Sequence, residues 1–317
     1  MIVYMSVMIF VGLLSLTLAM PRWAEAADFP KKGITIVVNQ AAGGGLDLTY
    51  RIFAQYLQDE LKVPVIVQNT TEGGGKKGAQ DVFDAKPDGH TLLANLETRN
   101  IQGEVVYKAP YKMLDFTYVA GLTKYDMMLV TRKEAPFKNL VEMKAFSQKK
   151  PLSVGTTGVG SLTHFIFLRL KEEGGLSNME AVPFRGSAPA ETAVIGGHVD
   201  ATLTSVSTST THMEKLLLLC TFGKERSEFT PKTPTAFEQG YNIATDEIDG
   251  ILAPPKTPKE IVAILYQALD KIRKKPEVQE KMRKIGRTVV FLSGEDYYKE
   301  LAQTYKTVER YKDIFKE

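Results

Sequence analysis

Glycine-rich turns recur at one kind of place in this chain, after a short apolar strand and before a helix. Ala41-Ala42-Gly43-Gly44-Gly45 follows the β-branched run 33–39, Gly73-Gly74-Gly75 follows 64–69, and Thr157-Gly158-Val159-Gly160-Ser161 follows 152–156. Strand, tight turn and helix in that order predict an α/β protein built on parallel sheets. Such junctions fall at the carboxyl ends of the strands, where ligands of α/β proteins bind. Glycine lets the backbone approach a ligand closely, and the helix behind it presents free N–H groups and its positive dipole end. A carboxylate or phosphate suits that environment. One such turn is ordinary turn chemistry; three in the same topological role favour an anion site.

The elements between the turns fit the same plan. The first helix carries Leu46, Ile52, Phe53, Tyr56, Leu57 and Leu61 at three- and four-residue spacings, with Asp47, Arg51, Gln55 and Asp59 on its other face. Further strands are predicted at 90–94 and 199–203, and helices at 79–85, 162–173 and 188–195. The two regions share an architecture, but no sequence repeat is strong enough to indicate duplication. Pro258 and Pro276 mark the starts of two packing helices, and a last helix begins near Glu295.

Residues 2–20 are uncharged and mostly apolar, and Ala24-Glu25-Ala26 offers the small-x-small end that a signal peptidase accepts. Residues 1–26 are therefore read as a signal peptide cleaved near Ala26, although no Lys or Arg precedes the apolar run. A membrane anchor is the competing reading. The mature chain is long enough to divide into two domains. Its 44% hydrophobic and 24% charged residues are ordinary for a soluble globular protein. A net charge of +3 gives no concentrated basic footprint for nucleic acid. Cys220 is the single cysteine and lies in an apolar run, so no internal disulfide is expected and the thiol reads as a buried strand residue.

Known chemistry-bearing spacings do not match. No Gly-x-Gly-x-x-Gly follows a strand, Gly75-Lys76-Lys77 lacks the rest of a P-loop, and neither Ser161 nor Ser187 sits in Gly-x-Ser-x-Gly. His90, His164, His198 and His212 are scattered, so neither a metal site nor a cofactor is expected. His164 falls in the first helical turn after the 158–161 loop, where it either faces a ligand or serves the helix start.

In order along the mature chain, several motifs resemble the solute receptors of tripartite tricarboxylate transporters, the Bug family. They include Ala41-Ala42-Gly43-Gly44-Gly45-Leu46-Asp47, Lys86-Pro87-Asp88-Gly89-His90, Pro183-Phe184-Arg185-Gly186-Ser187-Ala188-Pro189 and Gly196-Gly197-His198-Val199-Asp200. The resemblance implies a two-domain periplasmic binding protein fold (type II-like) with two crossover strands and a ligand cleft between the domains. One domain would comprise 28–127 plus 247–317, and the other 128–246. It implies a small organic acid as ligand, its proximal carboxylate held by the loops 41–47 and 158–161, partly through water. The implied binding set is Ala42, Gly43, Gly44, Gly45, Asp47, Thr98, Thr157, Gly158, Gly160, Ser161, His164, Ser187, Asp200 and Ser205.

Three departures from the family pattern bear on the ligand. Thr204-Ser205-Val206 replaces an Asp-Asn or Asp-Ser pair, Glu247-Ile248-Asp249 stands where a tryptophan is common, and Arg99 replaces a small hydroxyl residue. Arg99 is read either as a clamp on a second carboxylate or as a solvated surface side chain. The resulting expectation is a monomeric, non-enzymatic periplasmic receptor that delivers a carboxylate to the membrane subunits of such a transporter. A sensory receptor for a membrane kinase and a secreted hydrolase are the alternatives.

Overall fold

The computed structural model describes residues 29–313 apart from 159, 210, 211 and 246; the leader and its cleavage point lie outside them. In chain order the first elements are β1 (Ile34–Val38), α1 (Gly45–Leu61), β2 (Val65–Asn69), α2 (Lys76–Phe83), β3 (Thr91–Leu96), α3 (Glu97–Val105) and β4 (Thr117–Tyr125). Next come β5 (Met127–Arg132), α4 (Leu140–Ser147), β6 (Leu152–Thr156), α5 (Leu162–Glu172), β7 (Met179–Pro183), α6 (Ser187–Ile195), β8 (Ala201–Ser205), the single turn α7 (Val206–Ser209) and β9 (Leu216–Thr221). The chain ends with β10 (Glu247–Ala253), α8 (Lys259–Arg273), α9 (Pro276–Lys284), β11 (Thr288–Ser293) and α10 (Gly294–Tyr311).

Among the described residues the strands form two sheets, ordered β11-β4-β10-β3-β1-β2 and β7-β6-β8-β5-β9. The strands that follow the sequence pattern are parallel: β1 with β2 and β3, and β6 with β7 and β8. The expectation of parallel sheets holds only for these. Strands β10 and β11 run antiparallel to β4, and β5 runs antiparallel to β8 and β9, so both sheets are mixed. The reason is the crossing itself. A strand that carries the chain straight into the other sheet has no helical return to make it parallel to its neighbours.

Tyr125 closes β4 and Met127 opens β5, so the chain changes sheets at Asp126. Met127, which the sequence reading assigned to the first domain, pairs with Ser205 in the second sheet. The return crossing ends at Glu247, which pairs with Tyr125. The two crossings therefore lie side by side.

Packing follows from the helical stripes. On α1, Leu46, Tyr50, Phe53, Ala54 and Leu57 are buried against the first sheet. Each of the larger side chains contributes about 1.5–3 kcal/mol relative to exposure. Cys220 is buried in β9, and burial pushes its thiol far above the ordinary range. No described helix is long and apolar enough to cross a membrane.

Candidate functional site

Two adjoining cavities open where the carboxyl ends of β3 and β6 face each other across the crossings. The first, about 200 Å³, is lined from the first sheet's side by Gln40, Leu96, Thr98, Arg99 and Gln102, and from the second's by residues of the 157–163 loop, Ser187 and Ser205. Tyr125, Met127 and Glu247 from the crossing strands complete it. The second, about 350 Å³, shares Arg99, Gln102, Thr157, Gly160 and Ser161, and adds Gly73, Gly74, Lys76, Gly103 and Tyr107.

The 157–164 loop is held open by its own hydrogen bonds. Ser161 caps α5: its Oγ accepts from the His164 N–H at 3.1 Å and donates to the Gly158 carbonyl at 2.7 Å. The Thr157 N–H donates to Thr163 Oγ1 at 2.7 Å. The first intrahelical bond runs from Phe165 N–H to the Ser161 carbonyl, so the N–H groups of Leu162 and Thr163 precede the helical ladder, and both residues line the first cavity. Gly160 has φ +74°, and a Cβ there would lie 2.4 Å from Tyr107 Oη. Only glycine allows this approach of the two lobes.

On the opposite wall, α3 begins inside the cleft. Thr98 gives both its N–H (3.1 Å) and its hydroxyl (2.7 Å) to the Glu247 carboxylate. Arg99 donates to the Gly74 carbonyl at 2.8 Å, and no carboxylate pairs with it among the described residues. It keeps exposed surface, yet the surrounding protein desolvates its guanidinium enough to lower the pKa. Gln102 is buried, and its Nε2 has no hydrogen-bond partner among the described residues. A buried amide donor left unsatisfied costs about 1–3 kcal/mol, which a ligand oxygen would recover.

The crossing strand β10 is buried throughout and carries two acids on one face, Glu247 and Asp249. Burial, reinforced by Asp249, pushes Glu247 up to about 7 against the pull of Thr98 and Arg287. Burial also raises Asp249, although Arg287, Thr123 and Tyr50 favour its charged form. Arg287 pairs with Asp249 at 3.0 Å and lies over the Tyr125 ring at 4.2 Å. Burial drives Glu97, next to Thr98, strongly toward its neutral form.

Of the residues expected at the site, Thr98, Arg99, Thr157, Gly160, Ser161, Ser187 and Ser205 line the first cavity together. Ser205 shares hydroxyl contacts with Ser207 and Thr208 at 2.9 and 3.0 Å. Ala42, Gly43, Gly44 and Gly45 line neither cavity; from that turn only the preceding Gln40 does. The turn is tied down by Asp47, which accepts from the Gly43 N–H, Arg51 and Asn69. Burial opposes the Asp47 charge, but these three donors prevail and hold the carboxyl below its usual range. Gly158 supplies the carbonyl that orients Ser161. His164 serves the helix start: its Nδ1 accepts from the Gly160 N–H at 3.2 Å, its ring stacks on Phe167, and burial lowers its pKa.

Asp200 lies elsewhere. It precedes β8 and accepts the Ser153 N–H and hydroxyl, both at 2.9 Å, whereas the opposite end of that strand, Ser205, lines the cavity. Five residue steps along the strand separate them by about 16 Å. Gln102, Tyr107, Tyr125, Met127 and Lys76 are cavity residues that the sequence reading did not single out. The second glycine cluster was the available signal for Lys76; the crossing strands gave none.

Residues 49–317 match the family model described as the tripartite tricarboxylate transporter family receptor. A UPF0065 protein in the gbd 5' region of Cupriavidus necator is 30% identical over 298 residues, covering 91% of this chain and 89% of its own. Two solved structures are similar. One is a TctC solute binding protein from Polaromonas, at TM-score 0.81 and 25% identity, covering 89% of this chain and 98% of the other. The other is MatC from Rhodopseudomonas palustris with bound malate, at TM-score 0.74 and 27% identity, covering 90% and 100%. The cleft between two mixed sheets is thus that of a solute-binding receptor, and the chain belongs to the tripartite tricarboxylate transporter receptor family.

Proposed function

We propose that the chain encloses a small organic acid between its two sheets outside the cytoplasmic membrane and presents it to the membrane subunits of a tripartite carrier. One observation carries this reading. Arg99, without a carboxylate partner, and Gln102, with a buried unpartnered Nε2, stand at the join of two cavities whose other wall holds the hydroxyls and first-turn amides of α5. Donors on both lobes aimed at one gap suit an oxyanion, and a ligand touching both favours the closed arrangement about the crossings at Asp126 and Glu247. The malate bound by MatC agrees with that class. Arg99 then clamps a carboxylate through a charge-assisted hydrogen bond.

A thermal-shift screen over mono-, di- and tricarboxylates and aromatic acids tests the reading. A true ligand at a hundred times its Kd adds about 2.7 kcal/mol of stability, and it is recovered chemically unchanged. Arg99→Ala removes about 1.5–3 kcal/mol of binding, a loss of tenfold or more. Unchanged affinity for every bound acid would sink the clamp.

A further inference from the structure

Opposite charges line the first cavity without meeting. Arg99 stands where the two cavities join and is bonded to the Gly74 carbonyl; of these two cavities Glu247 lines the first, where it is bonded to Thr98, and it also borders a further cavity with Arg169 and Lys224. Among the described residues no ion pair joins Arg99 and Glu247. Glu247 is 1% exposed, and the cations near it are committed elsewhere: Arg287 pairs with Asp249, Arg169 with Glu173 and Lys224 with Glu300. Thr98 occupies one acceptor site on each carboxylate oxygen, and an ionised carboxylate has about four. The unused sites belong to a group that needs a donor. Apolar surface from Leu96, Tyr125 and Met127 lies in the same cavity.

In the first cavity Arg99 is the one cation among the described lining residues, so a second carboxylate turned toward Glu247 would meet a like charge, which costs binding energy in a desolvated site. On the reading that a carboxylate is held by Arg99, Gln102 and the 157–161 loop, we propose that the ligand is an amino carboxylate whose ammonium group is accepted by Glu247. Glu247 is then the residue that selects amino acids over the corresponding deaminated acids. Lys76 in the second cavity leaves a place for a further acidic arm. Glu247 pairs with Tyr125 across the two crossings, so an ammonium bound there joins the segments about which the lobes turn.

Matched pairs that differ only in the amine test this: L-glutamate against glutarate, and L-norvaline against pentanoate, titrated calorimetrically into the mature chain at about pH 8, where the amines are charged. The amino partner should bind at least about tenfold tighter in one pair. Glu247→Gln should shrink that preference to about threefold or less while binding of the deaminated acid is kept or improved. Should that variant not fold, Thr98→Ala, which removes the hydroxyl orienting Glu247, should lower the preference instead. Deaminated acids that bind as well as their amino partners, or a preference that survives Glu247→Gln, would overturn the assignment and leave the carboxylate receptor standing. If neither series binds while other acids of the thermal-shift screen do, the amino-carboxylate assignment falls and the carboxylate receptor stands; if no acid of that wider screen binds, the receptor reading falls as well.

Discussion

Replacing Arg287 by methionine isolates what holds the crossing strand together. The guanidinium is 5% exposed, pairs with the fully buried Asp249 at 3.0 Å and lies 4.2 Å over the Tyr125 ring. Methionine keeps the apolar stem and removes the guanidinium with its charge and donors, so Asp249 is left with the hydroxyls of Thr123 (2.8 Å) and Tyr50 (3.4 Å). Breaking one partner out of a buried ion pair costs about 3–5 kcal/mol, because the remaining charge must stay desolvated or take up a proton. At about 2–4 °C per kcal/mol for a chain of this size, the melting temperature should fall by roughly 10 °C. The pair itself carries far less net energy than this, since removing both charges also removes both desolvation costs. Arg287→Met combined with Asp249→Leu should therefore recover much of the loss. Circular dichroism melts of the wild type, both single variants and the double variant give the coupling directly. A single variant that melts within about 2 °C of wild type, or a double variant no better than Arg287→Met alone, would refute the reasoning.

Two further outcomes follow from the cleft. Gly160→Ala adds the roughly 1–2 kcal/mol cost of a side chain at φ +74° and presses its methyl against Tyr107 Oη, so calorimetry should show acid affinity reduced about tenfold, with Tyr107→Ala restoring part of it. Glu247, raised to about 7 from 4.5, binds its proton more tightly folded than unfolded, so its contribution is complete below about pH 4.5 and is lost as pH rises through about 7. It faces Asp249 on its own strand, Arg287 beside it, Glu97 on α3 and Tyr125 on β4, and the raised Glu97 and Asp249 act in the same direction. The unliganded protein should thus lose roughly 3 kcal/mol on going from about pH 5 to pH 8; a Glu247→Gln variant whose melting temperature falls just as much over that range would contradict this.

The parallel half of each sheet was legible because its signals are local. A β-branched run, a glycine turn and a 3.6-residue stripe sit within about thirty residues, and β1 with α1 and β6 with α5 formed where those signals stand. The site residues carried by the same junctions, Thr157, Gly160 and Ser161, came with them. Strands β4, β5, β10 and β11 were not legible, since their partners lie far away in sequence: Glu247 pairs with Tyr125 and Met127 with Ser205. The turn 42–45 shows a different limit. Its glycines look like those of the 158–160 loop, but Asp47 draws the turn's amide inward, toward a network with Arg51 and Asn69 that no residue type announces. Asp200 stands before the start of β8 and lines neither cavity, whereas Ser205 at the strand's far end lines the first, because the two ends of a strand reach opposite edges of the sheet.

The crossing strand ties stability to recognition. Strand β10 is buried along its whole length, yet it puts two carboxylates on one face, an arrangement that a purely structural strand would avoid. One of them is answered from within the fold, Asp249 by Arg287. Glu247 is in no ion pair among the described residues; its hydrogen bonds come from the neutral donors of Thr98, and it borders the ligand cavity. Folding therefore completes one charge balance and leaves the other open at the point where the lobes meet. A bound cation closes that balance in the liganded protein alone, so the free energy withheld at Glu247 during folding becomes available to favour the closed, ligand-bound form. This explains why the acid is tolerated at a hinge where a large apolar residue would make the unliganded protein more stable.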